Sequence, residues 1–304
     1  MKLLLSHIAD LDGISPIILL NLLKEDFEYK LFDINDLSKF IEENLDNGYF
    51  DSYDEIIITD LGIEEECAKK IINSKYHEKF KLFDHHESRK YLNKYNFAYV
   101  SEDVNGFKVC GTTLFYEYLR KNYDFDVLKK NSVITFVELV RENDTWQFTD
   151  LIEDAKNLNS LLHFYGRDTF IEMYTEFLET HNEFYFSKTD LTILKSLNEQ
   201  KSFYLESMKD KVIIKSVKNY NIGFVFASRY RSELGNYLAH IYEDKVDFIC
   251  IINMEDHISF RGIKNDKPTN VFASFYGGGG HPLASATDLP ADIKEKIIEY
   301  IFGD

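Results

Sequence analysis

The sequence predicts an α/β fold. Its N-terminal domain should hold a mainly parallel sheet with helices on both faces, and a smaller α/β C-terminal domain should lie across a cleft. Three observations carry this expectation. Apolar β-rich runs alternate with helical patterns through the first hundred residues, as in a buried parallel sheet. A long, mostly helical stretch follows. After it, strand-like runs return with a helix among them.

The first strand is expected at residues 2–6 (KLLLS). Ser15 and Pro16 then suit an N-cap and first helical position ahead of IILLNLLKE. Residues 55–59 (EIIIT) read as a second strand, followed by the helical EEECAKKIINSKY, and residues 79–83 (KFKLF) read as a third. From Gly111 to about His181 helical patterns succeed one another: TTLFYEYLRKNY, SVITFVELVR, AKNLNSLLHFYG and TFIEMYTEFLETHNEF. Residues 189–209 are polar, helix-compatible and free of Gly and Pro, and read as a connecting helix. The expected organisation is therefore a first domain over 1–187, a connector over 188–209 and a second domain over 210–304. In the second domain, strands are expected at 212–216, 222–228, 248–254 and 257–263, with helices near 232–242 and 293–302.

With 304 residues, 44% apolar, 29% charged and 15% aromatic, the composition excludes disordered, collagen-like and coiled-coil classes. No apolar run approaches the roughly 20 residues that span a bilayer, and MKLLLSHIAD does not read as a signal peptide. The three cysteines, Cys67, Cys110 and Cys250, are too far apart for a disulfide framework or a CxxC zinc site. A cytoplasmic protein without a membrane partner is expected. The net charge of −17 opposes a long duplex held along its phosphates, so a nucleic-acid substrate should be short or held locally by cations.

Each of the three expected N-terminal strands runs directly into acids or histidines. The first leads to His7, Asp10 and Asp12, the second to Asp60, and the third to Asp84, His85 and His86. Taken singly, such an acid is an ordinary helix cap or turn residue. Three consecutive strands ending alike point to the crevice at the carboxyl ends of a parallel sheet, where ligands bind. Asp144, after VITFVELVR, could reach the same place. Carboxylates with a minority of imidazoles suit Mn²⁺ first, with Mg²⁺ or iron as alternatives. So many acids in one crevice need cations to neutralise them. Six ligand candidates suffice for two ions with one carboxylate bridging, the apparatus for in-line attack at phosphorus. Toward the other end of the chain, Gly277–Gly280 permit close backbone approach, so that N–H groups of Gly278, Gly279 and Gly280 can cradle an anionic oxygen, with His281 as a donor. Arg261, in HISFRG, could grip a phosphate bidentately.

In order, SHIADLDG, ITDLG, FDHH and END resemble the four metal-site motifs of the DHH phosphoesterase superfamily, and GGGGH resembles the signature of its associated C-terminal domain. The first motif is similar to that of the oligoribonuclease and cyclic-nucleotide phosphodiesterase group. The resemblance implies His7, Asp10 and Asp60 on one metal and Asp12, His85 and Asp144 on the other, with Asp60 bridging. It implies that Asp84 orients the imidazole of His85 and that His86 faces the substrate phosphate. One departure is the spacing of His7, which precedes Asp10 by three positions where many members have four. The implied activity is a two-metal phosphodiesterase in which a hydroxide between the ions attacks phosphorus. Its substrates would be short oligoribonucleotides or linear mono- and dinucleotide esters, with cyclic dinucleotides as the alternative. A homodimer is compatible with this reading. Inorganic pyrophosphatase, a processive single-strand exonuclease and a non-catalytic nucleotide-binding protein are the rivals.

Overall fold

Strand β1 (Lys2–His7) leads into helix α1 (Leu11–Leu23), and then come β2 (Phe27–Phe32), α2 (Leu37–Asn44), β3 (Glu55–Thr59), α3 (Glu65–Asn73), β4 (Phe80–Asp84) and the short β5 (Ala98–Val100). A hairpin, β6 (Asp103–Val104) and β7 (Phe107–Lys108), precedes four helices: α4 (Gly111–Asn122), α5 (Asn131–Thr145), α6 (Ile152–Tyr165) and α7 (Arg167–Thr180). Helix α8 (Lys188–Met208) follows. Beyond it lie β8 (Ile213–Val217), β9 (Tyr220–Phe226), α9 (Arg231–Ile241), β10 (Phe248–Ile252), β11 (His257–Gly262), α10 (Thr269–Ser274), β12 (Gly279–His281), β13 (Ala284–Asp288) and α11 (Ile293–Phe302). This computed structural model describes residues 1–147, 149–255 and 257–303. The chain divides into two compact units, Met1–Leu194 and Lys195–Asp304, and the division falls inside α8.

In the first unit five strands pair in parallel in the order β2-β1-β3-β4-β5. Alternate residues face opposite layers. Leu4, Ile57 and Phe83 join the core beneath α1, α4, α5, α6 and α7, whereas Leu3, Leu5, Ile56, Ile58 and Leu82 join the core beneath α2 and α3. Burial on both faces is why these strands read as unbroken apolar runs. The same logic explains what the sequence hid: β2 is an edge strand, half exposed and charged, and β5 has only three residues.

Helix α1 begins at Leu11 rather than at Pro16. Asp10 is its cap, accepting a hydrogen bond from Gly13 N at 2.9 Å. Pro16 therefore sits inside the helix, where it lacks the amide that would bond the Asp12 carbonyl. The Thr112 hydroxyl donates to that carbonyl instead, at 2.7 Å. Ser15, expected as the cap, donates to Leu11 O at 2.6 Å within the helix.

The second unit is a six-stranded sheet in the order β12-β13-β11-β10-β9-β8, parallel only between β9 and β10. Helix α9 covers one face through Leu234, Leu238 and Ala239, and α10 covers part of the other through Phe272 and Ala273. The sequence conceals β12 because its glycines signal a turn, and β13 because ASATD is poor in β-branched and aromatic residues. Among the described residues no helix is long and apolar enough to cross a membrane.

Candidate metal centre

Four elements end at one place. β1 delivers His7, the cap and first turn of α1 deliver Asp10 and Asp12, the end of β3 delivers Asp60, the end of β4 delivers Asp84, His85 and His86, and the last turn of α5 delivers Asp144. Close backbone approach makes this convergence feasible. A Cβ on Gly13 would stand 2.2 Å from His7 O, and one on Gly111 would stand 2.7 Å from Asp60 N. Asp60 itself holds a left-handed backbone, φ 55°, a conformation that costs a non-glycine residue energy and clusters at functional sites.

Two triplets result: His7, Asp10 and Asp60, and Asp12, His85 and Asp144. His7 Nδ1 lies 3.1 Å from Asp10 Oδ2 and 3.4 Å from Asp60 Oδ2. His85 Nε2 lies 3.4 Å from Asp60 Oδ1, 3.4 Å from Asp144 Oδ2 and 3.9 Å from Asp12 Oδ2. Asp60 thus turns one oxygen to each histidine. Donor atoms about 2.1 Å from a shared ion stand roughly 3.0–3.4 Å apart; four of the five contacts fall in that range, and Asp12 stands slightly farther from His85. Asp60 Oδ2, His85 Nε2 and Asp144 Oδ2 are also buried without a hydrogen-bond partner, as ligand atoms would be.

The electrostatics agree with that fit. The hydrogen bond to Asp10 and the nearby Asp60 carboxylate lift the His7 pKa to about 10 against its burial. His85 is lifted to about 9, because Asp60, Asp12 and Asp144 together outweigh its desolvation. Burial and then the Asp12 charge raise both Asp60 and Asp144. Asp10 is lowered, since contact with His7 and Gly13 N overcomes its desolvation. The carboxylates draw positive charge inward, as protons or as metal ions.

Asp12 is held from both sides. Its Oδ2 accepts Gly111 N and its Oδ1 accepts Thr112 N, each at 2.7 Å, at the start of α4. Gly111 and Thr112 carry no signal in the sequence, where GTT reads only as the start of a helix. Cys110, the residue before α4, is fully buried. Its burial and the nearby Asp12 and Asp144 keep the thiol protonated, which disfavours it as a ligand. Asp84 differs from expectation. Its Oδ1 accepts the backbone amide of His85 at 2.8 Å and contacts Nδ1 of His86 at 2.7 Å, so the imidazole it orients is that of His86, whose pKa it raises. His86, His85, Asp144, Thr145, Glu102 and Lys108 line a cavity of about 280 Å³ beside the triplets.

The expected substrate contacts lie in the second unit. Arg261 on β11 is level with Ala284 on β13, which is level with His281 on β12. The Arg261 guanidinium donates to Ser232 Oγ and to Phe260 O, both at 3.0 Å, and burial followed by the Arg231 charge lowers its pKa. The glycines have separate structural tasks. Gly277, at φ 76°, ends α10, and Gly278 N is committed to Ala273 O at 3.0 Å. A Cβ on Gly278 would meet Ala286 O at 2.1 Å, and one on Gly280 would meet Ala284 O at 2.7 Å, whereas Gly279 faces open space. Within GGGGH, Gly277 and Gly278 thus close α10, and Gly279, Gly280 and His281 form an edge strand paired with β13.

No family model matches the sequence. It is 31% identical to oligoribonuclease NrnB of Bacillus subtilis (strain 168), over 98% of this chain and 75% of that protein. The chain belongs to the DHH phosphoesterase superfamily. DHH-type folds are also found among solved structures. The pGpG-specific phosphodiesterase PggH of Vibrio cholerae matches with TM-score 0.54 and 13% identity, over 99% of this chain and 97% of that one. Exonuclease RecJ bound to manganese matches with TM-score 0.52 and 12% identity, over 98% and 88% respectively.

Proposed function

We propose that this DHH protein is a two-metal phosphodiesterase acting on short oligoribonucleotides, down to dinucleotides. The carrying observation is Asp60, which offers one oxygen to each of two donor triplets. His7, Asp10 and Asp60 would hold one divalent cation, and Asp12, His85 and Asp144 would hold the other with Asp60 shared. Carboxylate-dominated donors favour Mn²⁺, with Mg²⁺ or iron able to substitute. Bound together, two such ions supply Lewis acidity and an activated water at phosphorus.

The chain's own residues do the rest. The start of α4 fixes Asp12, and the left-handed turn at Asp60 fixes its two-sided reach. Asp84 anchors Nδ1 of His86, leaving Nε2 for a non-bridging phosphate oxygen, with Lys108 lining the same cavity. Arg261 and His281 hold a part of the substrate away from the scissile bond, and such contacts select what is positioned for attack. The similarity to oligoribonuclease NrnB and the net charge of −17 support short substrates.

Mn²⁺-supported hydrolysis across a dinucleotide, a 5-mer, a 24-mer, cyclic mono- and dinucleotides and pyrophosphate tests this reading. The linear dinucleotide should be turned over most efficiently. Preference for pyrophosphate, or full turnover in excess chelator, overturns it.

A further inference from the structure

Just past Asp144, helix α5 closes on a residue that neither its backbone nor its burial explains. Trp146 is the C-terminal cap, with a left-handed backbone, φ 50°, and an amide that donates to Glu142 O at 3.1 Å. Glycine or asparagine ordinarily fills such a position, and a bulky side chain there is strained. The indole is 58% exposed, so burial does not offset the strain. Strained residues of this kind cluster at functional sites.

The turn around Trp146 is held in place. Thr145 donates its hydroxyl to Arg141 O at 2.8 Å, and Thr149 N donates to the buried Glu142 carboxylate at 2.8 Å. Oriented so that both its ends are satisfied, the Gln147 carboxamide accepts from Lys108 N at 3.1 Å and from the Arg141 guanidinium at 3.2 Å. Thr145 and Lys108 both line the cavity beside the metal triplets. Trp146 therefore stands at the rim of that cavity, its Cα no more than about 7.6 Å from that of Asp144. A large π-face on a tethered turn, so close to the place where phosphorus is attacked, matches one part of a nucleotide: its base.

We propose that Trp146 is the platform on which a base of the oligonucleotide stacks, a reading that rests on the phosphodiesterase function proposed above. Every base has a π-face, so stacking holds a nucleotide beside the metals without selecting its sequence, and the preference it does create follows stacking strength. Purines should therefore be favoured over pyrimidines. Loss of one stacked base costs roughly 10- to 100-fold in efficiency.

Trp146→Ala should lower kcat/KM on diadenylate by that factor and flatten the preference for diadenylate over diuridylate, and Trp146→Phe should restore most of both. A fully abasic dinucleotide should be cut equally by the altered and unaltered chains, and calorimetric titration should find Mn²⁺ bound as before. Phe107→Ala is the control: Phe107 is 68% exposed beside Lys108, but strand alternation turns it to the opposite face, so its loss should change nothing. Trp146 is the one tryptophan of the chain, so its emission reports on this site alone. Diadenylate with a methylene-bridged phosphonate linkage, added with Mg²⁺, should quench that emission, and the abasic dinucleotide should not. Equal losses on diadenylate and the abasic substrate, weakened Mn²⁺ binding, or emission indifferent to the phosphonate overturns the proposal. If the unaltered chain cuts no oligonucleotide, the function proposed above fails, and the emission decides the stacking by itself.

Discussion

Gly111→Ala tests whether the start of α4 positions the shared carboxylate. The added Cβ would stand 2.7 Å from Asp60 N, 2.8 Å from its Cα and 2.9 Å from its Cβ, where ordinary contact begins near 3.4 Å. The neighbours must separate by roughly 0.5–0.7 Å, and backbone atoms cannot swing aside as a flexible side chain can. Asp12 is tied to the amides of Gly111 and Thr112, so the displacement reaches both triplets. Constellations of this kind tolerate about 0.5 Å, and a 1 Å misplacement costs about 10²-fold. The expected result is a kcat/KM on a dinucleotide roughly 10- to 100-fold lower, with weaker Mn²⁺ binding by calorimetric titration. Overpacking costs about 1–3 kcal/mol, and a domain of this size loses roughly 2–4 °C of Tm per kcal/mol, so the variant should still fold. Unaltered kcat/KM with both ions bound at full affinity would refute this account of Asp60.

Asp60→Ala removes the carboxylate that, among the described residues, reaches both histidines, so titration should find both cations weakened and turnover reduced on the order of a thousandfold; retention of two tight sites would exclude sharing. His281→Ala should lower efficiency on a dinucleotide by about 1–3 kcal/mol of transition-state stabilisation while sparing bis-p-nitrophenyl phosphate, which has no second phosphate to grip; equal losses on both would place His281 in the chemistry or the folding. His7 and His85 have folded-state pKa values raised from 6.5 to about 10 and about 9, so their stabilisation of the metal-free protein is complete below pH 6.5 and lost as pH rises through those values. Thermal melts in chelator should therefore fall between pH 6.5 and 10, while the stabilisation by Mn²⁺ should grow over the same window. Turnover on a 24-mer should be well below that on a dinucleotide and should respond more to salt; equal rates would favour a processive exonuclease.

What the sequence disclosed follows from where its signals originate. The EIIIT and KLLLS runs are buried on both faces, so their composition alone marks them, and the acids that follow mark the sheet edge at which they meet. Strand β2 escaped notice because an edge position admits Glu28 and Lys30. Pro16 misled because proline normally opens a helix; its tolerance at an interior position depends on Thr112, a hundred residues distant and beyond any local pattern. Gly111 was likewise silent, since its purpose is a contact with Asp60 that only the folded chain creates. The partner of Asp84 could not be read either: adjacent histidines look alike in sequence, and only the backbone path decides which imidazole meets the carboxylate.

The six residues of the two triplets are gathered from positions 7 to 144 of the chain. The first set spans residues 7 to 60 and the second residues 12 to 144, so neither is assembled until strands distant in sequence have paired. Ligands of this kind bind the finished first unit and not its unfolded chain. Free metal at a hundredfold over its dissociation constant then adds about 2.7 kcal/mol to stability, a sizeable share of the roughly 5–15 kcal/mol that keeps a domain folded. Withdrawal of metal leaves several buried acids facing one another at the centre of the sheet edge, and the population of opened chains rises with the loss. Protease resistance in a cell starved of divalent cations would therefore decline along with turnover, because the same six side chains govern both.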